Sequence, residues 1–336
     1  MITRRKFLQA TGAYALLGTS LLQGCNDSSF KDKSISTLIS LPDGAMPHQE
    51  EVEWWYWTGH LKTADERWFG FQFVIFLMKI SNDSRILVAH HAITDIENNS
   101  FHYVVTPFKS IAPPVFDSGF NWQVDNLKAK GGNDIDILHA EVDGFISDLT
   151  LESTKPFVSQ HGNGYTEYSV GGYTYYYSKE RLKAKGTIKI GNEVLAVTGE
   201  GWFDHQWGEL TQLSNSGWDW FAIQLDDNRE IMLFNAHKSK TESILVGGSF
   251  ADAQGKVREI EPSNIEITAL SEWVSPKTNI VYPQNWQIRV EDLTFTVTVT
   301  VADQEVRGVP IYWEGASTVS GDVTGRAYVE LAGYHL

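Results

Sequence analysis

The 336 residues of the chain exceed one ordinary domain and fit two packed units or one large one. A net charge of −15 argues against binding to nucleic acid, whose phosphates require a basic surface, and against broad contact with anionic lipid. The single cysteine, Cys25, excludes a disulfide within the chain and a metal site built from cysteines, so the core must stabilise the fold.

The N-terminus is predicted to be an export signal rather than part of the fold. Residues 3–8 carry two adjacent arginines before the apolar stretch 10–22, which is short for the ~20 residues of a membrane span. The alternative is an anchor that stays attached. The sequence before Cys25 resembles a lipoprotein cleavage site, which predicts a signal over 1–24, an acylated Cys25 and a tether and lead-in over 25–47. We therefore expect a protein of the periplasm or cell envelope, bound to the membrane through its N-terminal lipid.

Period-two patterns and short apolar runs predict strands along the rest of the chain, and no segment shows a long helical period. Gly191-Asn192 predicts a two-residue hairpin. The predicted strands are 68–77, 86–94, 173–182, 187–190, 193–198, 221–225, 230–235, 293–301 and 326–331. The chain is therefore predicted to be all-β, with two barrel-like halves over 48–215 and 216–336 and a boundary near 214–217.

The aromatic content is high, with 12 Trp, 13 Tyr and 17 Phe. Four of these residues, 54–57, follow one another between Glu53 and His60. Alternation along a strand places Trp55 and Trp57 on one face and the other two rings on the opposite face. Two interpretations stay open here. The segment is either a buried opening strand with rings in both layers, or a strand with one face in a ligand cavity.

His90 and His91 lie inside an apolar strand pattern. Because neighbours on a strand point to opposite faces, the pair cannot chelate one metal ion. No metal site is predicted, and one of the two histidines could line a cavity.

The stretch 199–208 brings a carboxylate and an imidazole together, with aromatic residues on either side. On a regular strand Asp204 and Gln206 share one face, while His205 and Trp207 share the other. Desolvation by aromatic walls would raise the pKa of Asp204, as a general acid requires, and His205 could relay the proton. Alternatively, Asp204 caps a turn and His205 bonds a backbone carbonyl.

Two further patterns bear on function. Glu314 and Arg326 are predicted to form a structural ion pair. The sequence has no Gly-x-Ser-x-Gly elbow, no His-Glu-x-x-His motif, no P-loop and no dinucleotide-binding glycine motif, which argues against a serine α/β-hydrolase and predicts no cofactor.

Several motifs in order resemble the AttH-like, carotenoid 1,2-hydratase superfamily, from about residue 48 to the C-terminus. These motifs are Glu53-Trp54-Trp55-Tyr56, Thr58-Gly59-His60, Ala89-His90-His91-Ala92-Ile93-Thr94-Asp95, Tyr175-Tyr176-Tyr177-Ser178, Asp204-His205-Gln206-Trp207-Gly208, Tyr312-Trp313-Glu314-Gly315 and Tyr328-Val329-Glu330-Leu331-Ala332-Gly333-Tyr334.

The resemblance implies two lipocalin-like antiparallel β-barrels packed together, with a ligand site among aromatic residues near their junction. It implies activity on apolar polyene or terpenoid-like compounds, such as hydration of a double bond. His205 and Trp207 match the His-x-Trp element of the carotenoid hydratases. The comparable later strand, 230–235, lacks the Tyr-x-Asp of those enzymes, which is a departure from the hydratase pattern.

The resulting hypothesis is an exported protein that binds an isoprenoid, polyene or lipid-like molecule and acts as a cofactor-independent hydratase, isomerase or lyase. The alternatives are a non-catalytic lipid or terpenoid carrier and a secreted hydrolase. Asp204 and His205 are the predicted catalytic residues. The predicted ligand-binding residues are Glu53, Trp55, Trp57, His60, His91, Trp202, Gln206 and Trp207.

Overall fold

The computed structural model describes residues 38–168, 171–210, 216–239 and 242–335. The predicted signal, Cys25 and the tether up to residue 37 lie outside these ranges. None of the helices within the described ranges has the length and apolar character needed to cross a membrane.

The prediction of an all-β fold is confirmed, since the described residues form 23 strands in two antiparallel sheets. Two short 3₁₀ turns are also described, Asp43–Ala45 and Pro262–Asn264. Each sheet curls around its own apolar core, which gives two half-barrels of lipocalin-like form.

The first sheet contains thirteen strands in the order β4-β3-β2-β1-β13-β12-β9-β8-β7-β6. Three short strands lie off this path, because β5 pairs with β3 while β10 and β11 pair with β12. The bounds are β1 Val52–Lys62, β2 Trp68–Ser81, β3 Ser84–Asp95, β4 Ser100–Val105, β5 Lys109–Ile111, β6 Phe120–Val124, β7 Leu127–Gly131, β8 Ile135–Val142, β9 Phe145–Ser153, β10 Val158–Ser159, β11 Tyr165–Glu167, β12 Tyr173–Ile190 and β13 Glu193–Glu209.

The second sheet contains ten strands in the order β17-β16-β15-β14-β23-β22-β20-β19-β18, with β21 paired to β22. The bounds are β14 Gly217–Leu225, β15 Glu230–Ser239, β16 Glu242–Ala251, β17 Val257–Glu259, β18 Ile265–Val274, β19 Val281–Val290, β20 Leu293–Val299, β21 Glu305–Arg307, β22 Ile311–Gly321 and β23 Gly325–Ala332.

The predicted hairpin at Gly191-Asn192 is confirmed, since it joins β12 to β13. The predicted separation of 173–182 from 187–190 is wrong, because β12 runs through both segments. A register shift between Lys179 and Leu182 absorbs the irregularity in its pairing with β13, and the strand then continues. The predicted strand 293–301 is observed as Leu293–Val299, with Phe295 and Val297 in the core.

The central pair β1 and β13 has one face in the first core and the other toward the second sheet. Trp55 and Trp57 belong to the first core, together with Phe203 of β13. Tyr56 and Trp202 point the other way and pack in a cluster that includes residues of the second sheet. The predicted alternation through residues 54–57 is therefore confirmed.

Gly59 allows β1 and β13 to lie close together. It pairs with Gly201, and a Cβ at Gly59 would lie 2.3 Å from the carbonyl oxygen of Glu200 and 2.7 Å from the ring of Phe71. The Thr58-Gly59-His60 motif thus has a packing role.

Side chains between the two half-barrels form a buried polar network at one end. Arg181 Nε lies 2.5 Å from Glu230 Oε1, and Lys155 Nζ lies 2.6 Å from Glu230 Oε2. Nearby, Gln160 Nε2 donates hydrogen bonds to Ser178 at 3.0 Å and to Glu180 at 3.2 Å. The network fixes the second sheet against β12.

Candidate active site

β13 places Asp204 and His205 on opposite faces of the first sheet. Asp204 bonds Tyr176, Ser178 and Trp202 on the face toward the second sheet. His205 instead bonds Glu53 inside the first half-barrel. The two side chains therefore do not form one site. They are not in contact, so a proton cannot pass directly from one to the other.

Asp204 is held by three donors. The hydroxyls of Tyr176 and Ser178 donate to its two oxygens at 2.8 and 2.5 Å, and the Trp202 indole donates at 2.8 Å. Burial raises the pKa of Asp204 to about 6, and the three hydrogen bonds limit the rise because they favour the anion. Asp204 is thus suited to accept a proton near neutral pH.

Glu314 and Glu330 lie on strands of the second sheet, and Glu330 is close enough to Asp204 for their charges to interact. They are directly opposite each other on β22 and β23. The Tyr56 hydroxyl donates a hydrogen bond to Oε1 of Glu314, whereas Oε2 has no hydrogen-bond partner among the described residues. Burial, followed by the charge of Glu330, raises the pKa of Glu314 well above its usual range. Burial of its carboxyl raises the pKa of the partly exposed Glu330 to about 7. The pair cannot hold two negative charges at neutral pH, so it retains a proton.

Aromatic rings pack around these carboxyl groups. Tyr56 contacts Trp220 edge to face at 5.5 Å, and Trp202 contacts Trp220 at 6.0 Å. The Tyr312 hydroxyl oxygen lies 2.9 Å from His90 Nδ1 and accepts a hydrogen bond from Gln72 Nε2 at 3.2 Å. We call this set the inter-sheet face; its members are Tyr56, Gln72, His90, Tyr176, Trp202, Asp204, Trp220, Tyr312, Glu314, Tyr328 and Glu330.

On the inner face of the first sheet, Glu53 joins two histidines. Its Oε1 lies 2.7 Å from Nδ1 of His48 and 2.8 Å from Nε2 of His205. Burial would raise the pKa of Glu53, but the bonds from His205 and His48 outweigh it, so that this pKa lies below its usual range. Burial lowers the pKa of His205 to about 4. The three ligand atoms lie within 4.8 Å of one another and could hold a metal ion.

The other predicted ligand residues divide between the two faces. Trp55 and Trp207 surround His205 with ring centroids at 4.6 and 4.7 Å, and Trp57 donates to Asp136 at 3.1 Å.

His91 is also on the inner face, where it donates to the carbonyl of Gln72 at 2.8 Å. His60 packs on Tyr328 across the inter-sheet face at 5.8 Å. Gln206 reaches the Tyr168 hydroxyl at 3.5 Å. The eight predicted residues thus do not line one common cavity.

Sequence reasoning missed the contact that Glu314 makes with the first sheet. The predicted Glu314–Arg326 pair is wrong, because Glu314 bonds Tyr56 while the Arg326 guanidinium lies 3.3 Å from the centre of the Trp68 ring. The sequence did contain a signal for this contact. Tyr312 and Glu314 are two positions apart in a strand pattern, so their side chains share one face. His48 had no local signal, because it precedes β1 in the lead-in.

Two surface cavities lie elsewhere. One of about 270 Å³ is lined by Phe101, Trp273 and Arg307, and one of about 550 Å³ by Phe116 and Ile137 among others. Neither contains a predicted site residue. The protein's own aromatic side chains cover the inter-sheet face, so a ligand can reach it only when they move.

Solved structures with a similar fold include the following three. A Nitrosomonas europaea protein provisionally named AttH is 27% identical with a TM-score of 0.80, over 89% of this chain and 98% of that chain. Kievitone hydratase from Nectria haematococca is 18% identical with a TM-score of 0.71, over 93% and 98%. CghA is 12% identical with a TM-score of 0.52, over 91% and 96%. The latter two likenesses concern the fold alone.

Among curated protein sequences, none matches the chain. The AttH-like family model matches residues 33–334, which is most of the sequence. The expected resemblance is confirmed, and the chain belongs to the AttH-like family.

Proposed function

We propose that the protein is a cofactor-independent hydratase, isomerase or lyase acting on an apolar isoprenoid, polyene or lipid-like molecule at the inter-sheet face. The observation that carries the proposal is the buried Glu314 carboxyl, which a raised pKa keeps protonated and whose Oε2 has no partner among the described residues. A neutral carboxylic acid among aromatic rings is suited to protonate a carbon–carbon double bond.

The reaction begins with transfer of the Glu314 proton to one alkene carbon, which leaves a carbocation on the neighbouring carbon and a carboxylate on Glu314. The rings of Tyr56 and Trp220 stabilise that cation. Asp204 then accepts a proton, either from a water whose oxygen bonds the cation or from an adjacent carbon. The first outcome is hydration and the second is isomerisation. Proton exchange with solvent through the partly exposed Glu330 restores the starting state.

The test is a substrate panel of prenylated, terpenoid and polyene compounds, with products identified by mass spectrometry. We expect a product that has gained one water or has an isomerised double bond. Glu314→Gln should abolish turnover while leaving the fold intact, because the amide keeps an acceptor for Tyr56. The exposed Glu272→Gln is the matched control and should retain activity. Full activity in Glu314→Gln would contradict the role of this residue.

A carrier function is the second candidate, favoured by the 550 Å³ cavity, where Val115, Ile135 and Ile137 are exposed. A carrier would release its ligand unchanged, with binding weakened by Ile137→Asp and unaffected by Glu314→Gln. Detection of a converted product that depends on Glu314 would reject the carrier in favour of the enzyme.

Export and lipid anchoring complete the proposal. An acylated Cys25 would hold the protein at a membrane surface, where apolar compounds accumulate. Cys25→Ser should release the protein into the soluble fraction of the cell envelope. Unchanged membrane association of this variant would argue against the anchor.

A further inference from the structure

Three potential metal ligands converge from separate parts of the chain on the inner face of the first sheet. Glu53 comes from β1, His205 from β13 and His48 from the lead-in before β1. A carboxylate oxygen thus stands between two imidazole nitrogens, which is a donor set that divalent transition metals bind.

The negative charge of Glu53 has no lysine or arginine to balance it among the described residues. The Glu53 side chain is 3% exposed, and its ion-pair partners within the described ranges are the two histidines, with no lysine or arginine. Imidazoles in the neutral form that binds metal supply hydrogen bonds but no positive charge. A buried carboxylate gains stability from a nearby cation, and a bound divalent ion would provide it.

Aromatic stacking holds both imidazoles in place. His48 stacks on Trp207 with ring centroids 3.9 Å apart and an angle of 2° between the planes. His205 stacks on Trp55 at 4.6 Å and 25°. The ligand rings are therefore oriented before any ion arrives, which lowers the entropic cost of binding.

The cluster is open on one side. The His48 side chain is 23% exposed, whereas that of His205 is fully buried. An ion can therefore enter from solvent past His48, and a water molecule can complete its coordination from the same side.

We propose that His48, Glu53 and His205 bind a divalent cation of the zinc type. Bonds of about 2.0–2.2 Å from a tetrahedral ion place its ligand atoms roughly 3.3 Å apart. The present separations of 2.7 and 2.8 Å must therefore widen by about half an ångström, as zinc replaces the hydrogen-bond protons. His48 can make this small shift without turning its ring away from Trp207, because it lies outside the strands. This site was not expected from the sequence, and it lies on the face of the first sheet opposite to that of the proposed reaction.

The test is titration of the EDTA-treated, purified chain with Zn²⁺, followed by calorimetry. We expect one ion per chain, and a tenfold or greater loss of affinity in His48→Ala and in Glu53→Gln. His139→Ala is the matched control, because His139 lies 2.6 Å from Asp148 at an exposed position and should not change the affinity. Mg²⁺ should not compete, since the site contains two nitrogen ligands.

Binding of Co²⁺ supplies a second readout, because a tetrahedral site with nitrogen ligands gives visible absorption bands. These bands should appear in the unmodified chain and disappear in His48→Ala, which should keep the fold because His48 lies outside the strands and its side chain is partly exposed. Absence of stoichiometric Zn²⁺ binding, or equal affinity in both site variants and the control, would overturn the proposal.

Discussion

The Tyr56 hydroxyl donates a hydrogen bond to Glu314, and this bond joins β1 of the first sheet to β22 of the second. Tyr56 is 6% exposed and Glu314 is 1% exposed, so the bond is shielded from water. In the sheet register Tyr56 also stands opposite Asp204. One phenol therefore lies between the strands that carry the proposed base and the proposed acid.

Removal of the phenol hydroxyl should weaken the fold. Tyr56→Phe leaves both oxygens of the buried Glu314 without this donor, so the free energy of unfolding should fall by about 1–3 kcal/mol. Urea denaturation measures the loss. Tyr165→Phe is the control, because Tyr165 donates to Glu167 at an exposed site and should change the stability by less than about 0.5 kcal/mol. Equal losses of stability in the two variants would show that the inter-sheet hydrogen bond contributes no more than an exposed one.

Stability should depend on pH through Glu180. Burial raises its pKa to about 8, and the charge of Glu230 adds to the rise. Folding then favours the protonated form, so this contribution to stability is fully present below the unfolded pKa near 4.5 and is lost as the pH rises to about 8.

Glu180→Gln tests this dependence, because an amide cannot ionise. Relative to the unmodified chain, the variant should gain stability between pH 5 and pH 8, by up to about 3–4 kcal/mol. Denaturant titrations at the two pH values measure the gain, with Glu272→Gln as an exposed control. A constant difference between variant and unmodified chain across this range would refute the role of Glu180.

The ion network between the half-barrels should be sensitive to loss of one partner. Arg181→Met removes one of the positive charges that pair with the fully buried Glu230 carboxylate. This variant should lower the free energy of unfolding by about 3–5 kcal/mol. The comparison is Arg258→Met, since Arg258 pairs with Glu291 at 2.5 Å on the surface and should contribute at most about 1 kcal/mol. Similar thermal unfolding of the two variants would contradict this assignment.

Gly59→Ala should prevent folding or reduce the yield of soluble protein sharply, because the added carbon would lie 2.3 Å from the backbone oxygen of Glu200. Gly201→Ala is milder, since its nearest contact would be 3.3 Å. Circular dichroism and soluble expression compare the two. A stable, well-folded Gly59→Ala chain would show that β1 and β13 can separate without cost.

Much of the fold was predictable because strand alternation is a local property. The pattern around residues 54–57 gave the correct faces, and Gly191-Asn192 gave the correct turn. The long strand β12 was predicted as two pieces, since the charged segment between them carries little apolar signal. Only its pairing with β9 and β13 shows that it continues.

The candidate site was harder to predict, because its residues come together through contacts distant in sequence. Tyr56 and Glu314 are separated by 258 positions, and the 152 positions between Glu53 and His205 likewise hide their bond. Asp204 and His205 show the opposite case. They are adjacent in the sequence, which suggested one site, but their side chains lie on different sides of the sheet. A local motif indicated chemistry in this strand but not which groups share it.

The alternation of β13 has a consequence for how the protein can change. Even-numbered positions serve the contact with the second sheet and odd-numbered ones the interior, so mutational tolerance along this strand should vary with a period of two. Substitutions on one side could be selected with little effect on the other. Deletion of a single residue upstream within the strand would exchange the two sets of side chains and disable both locations at once.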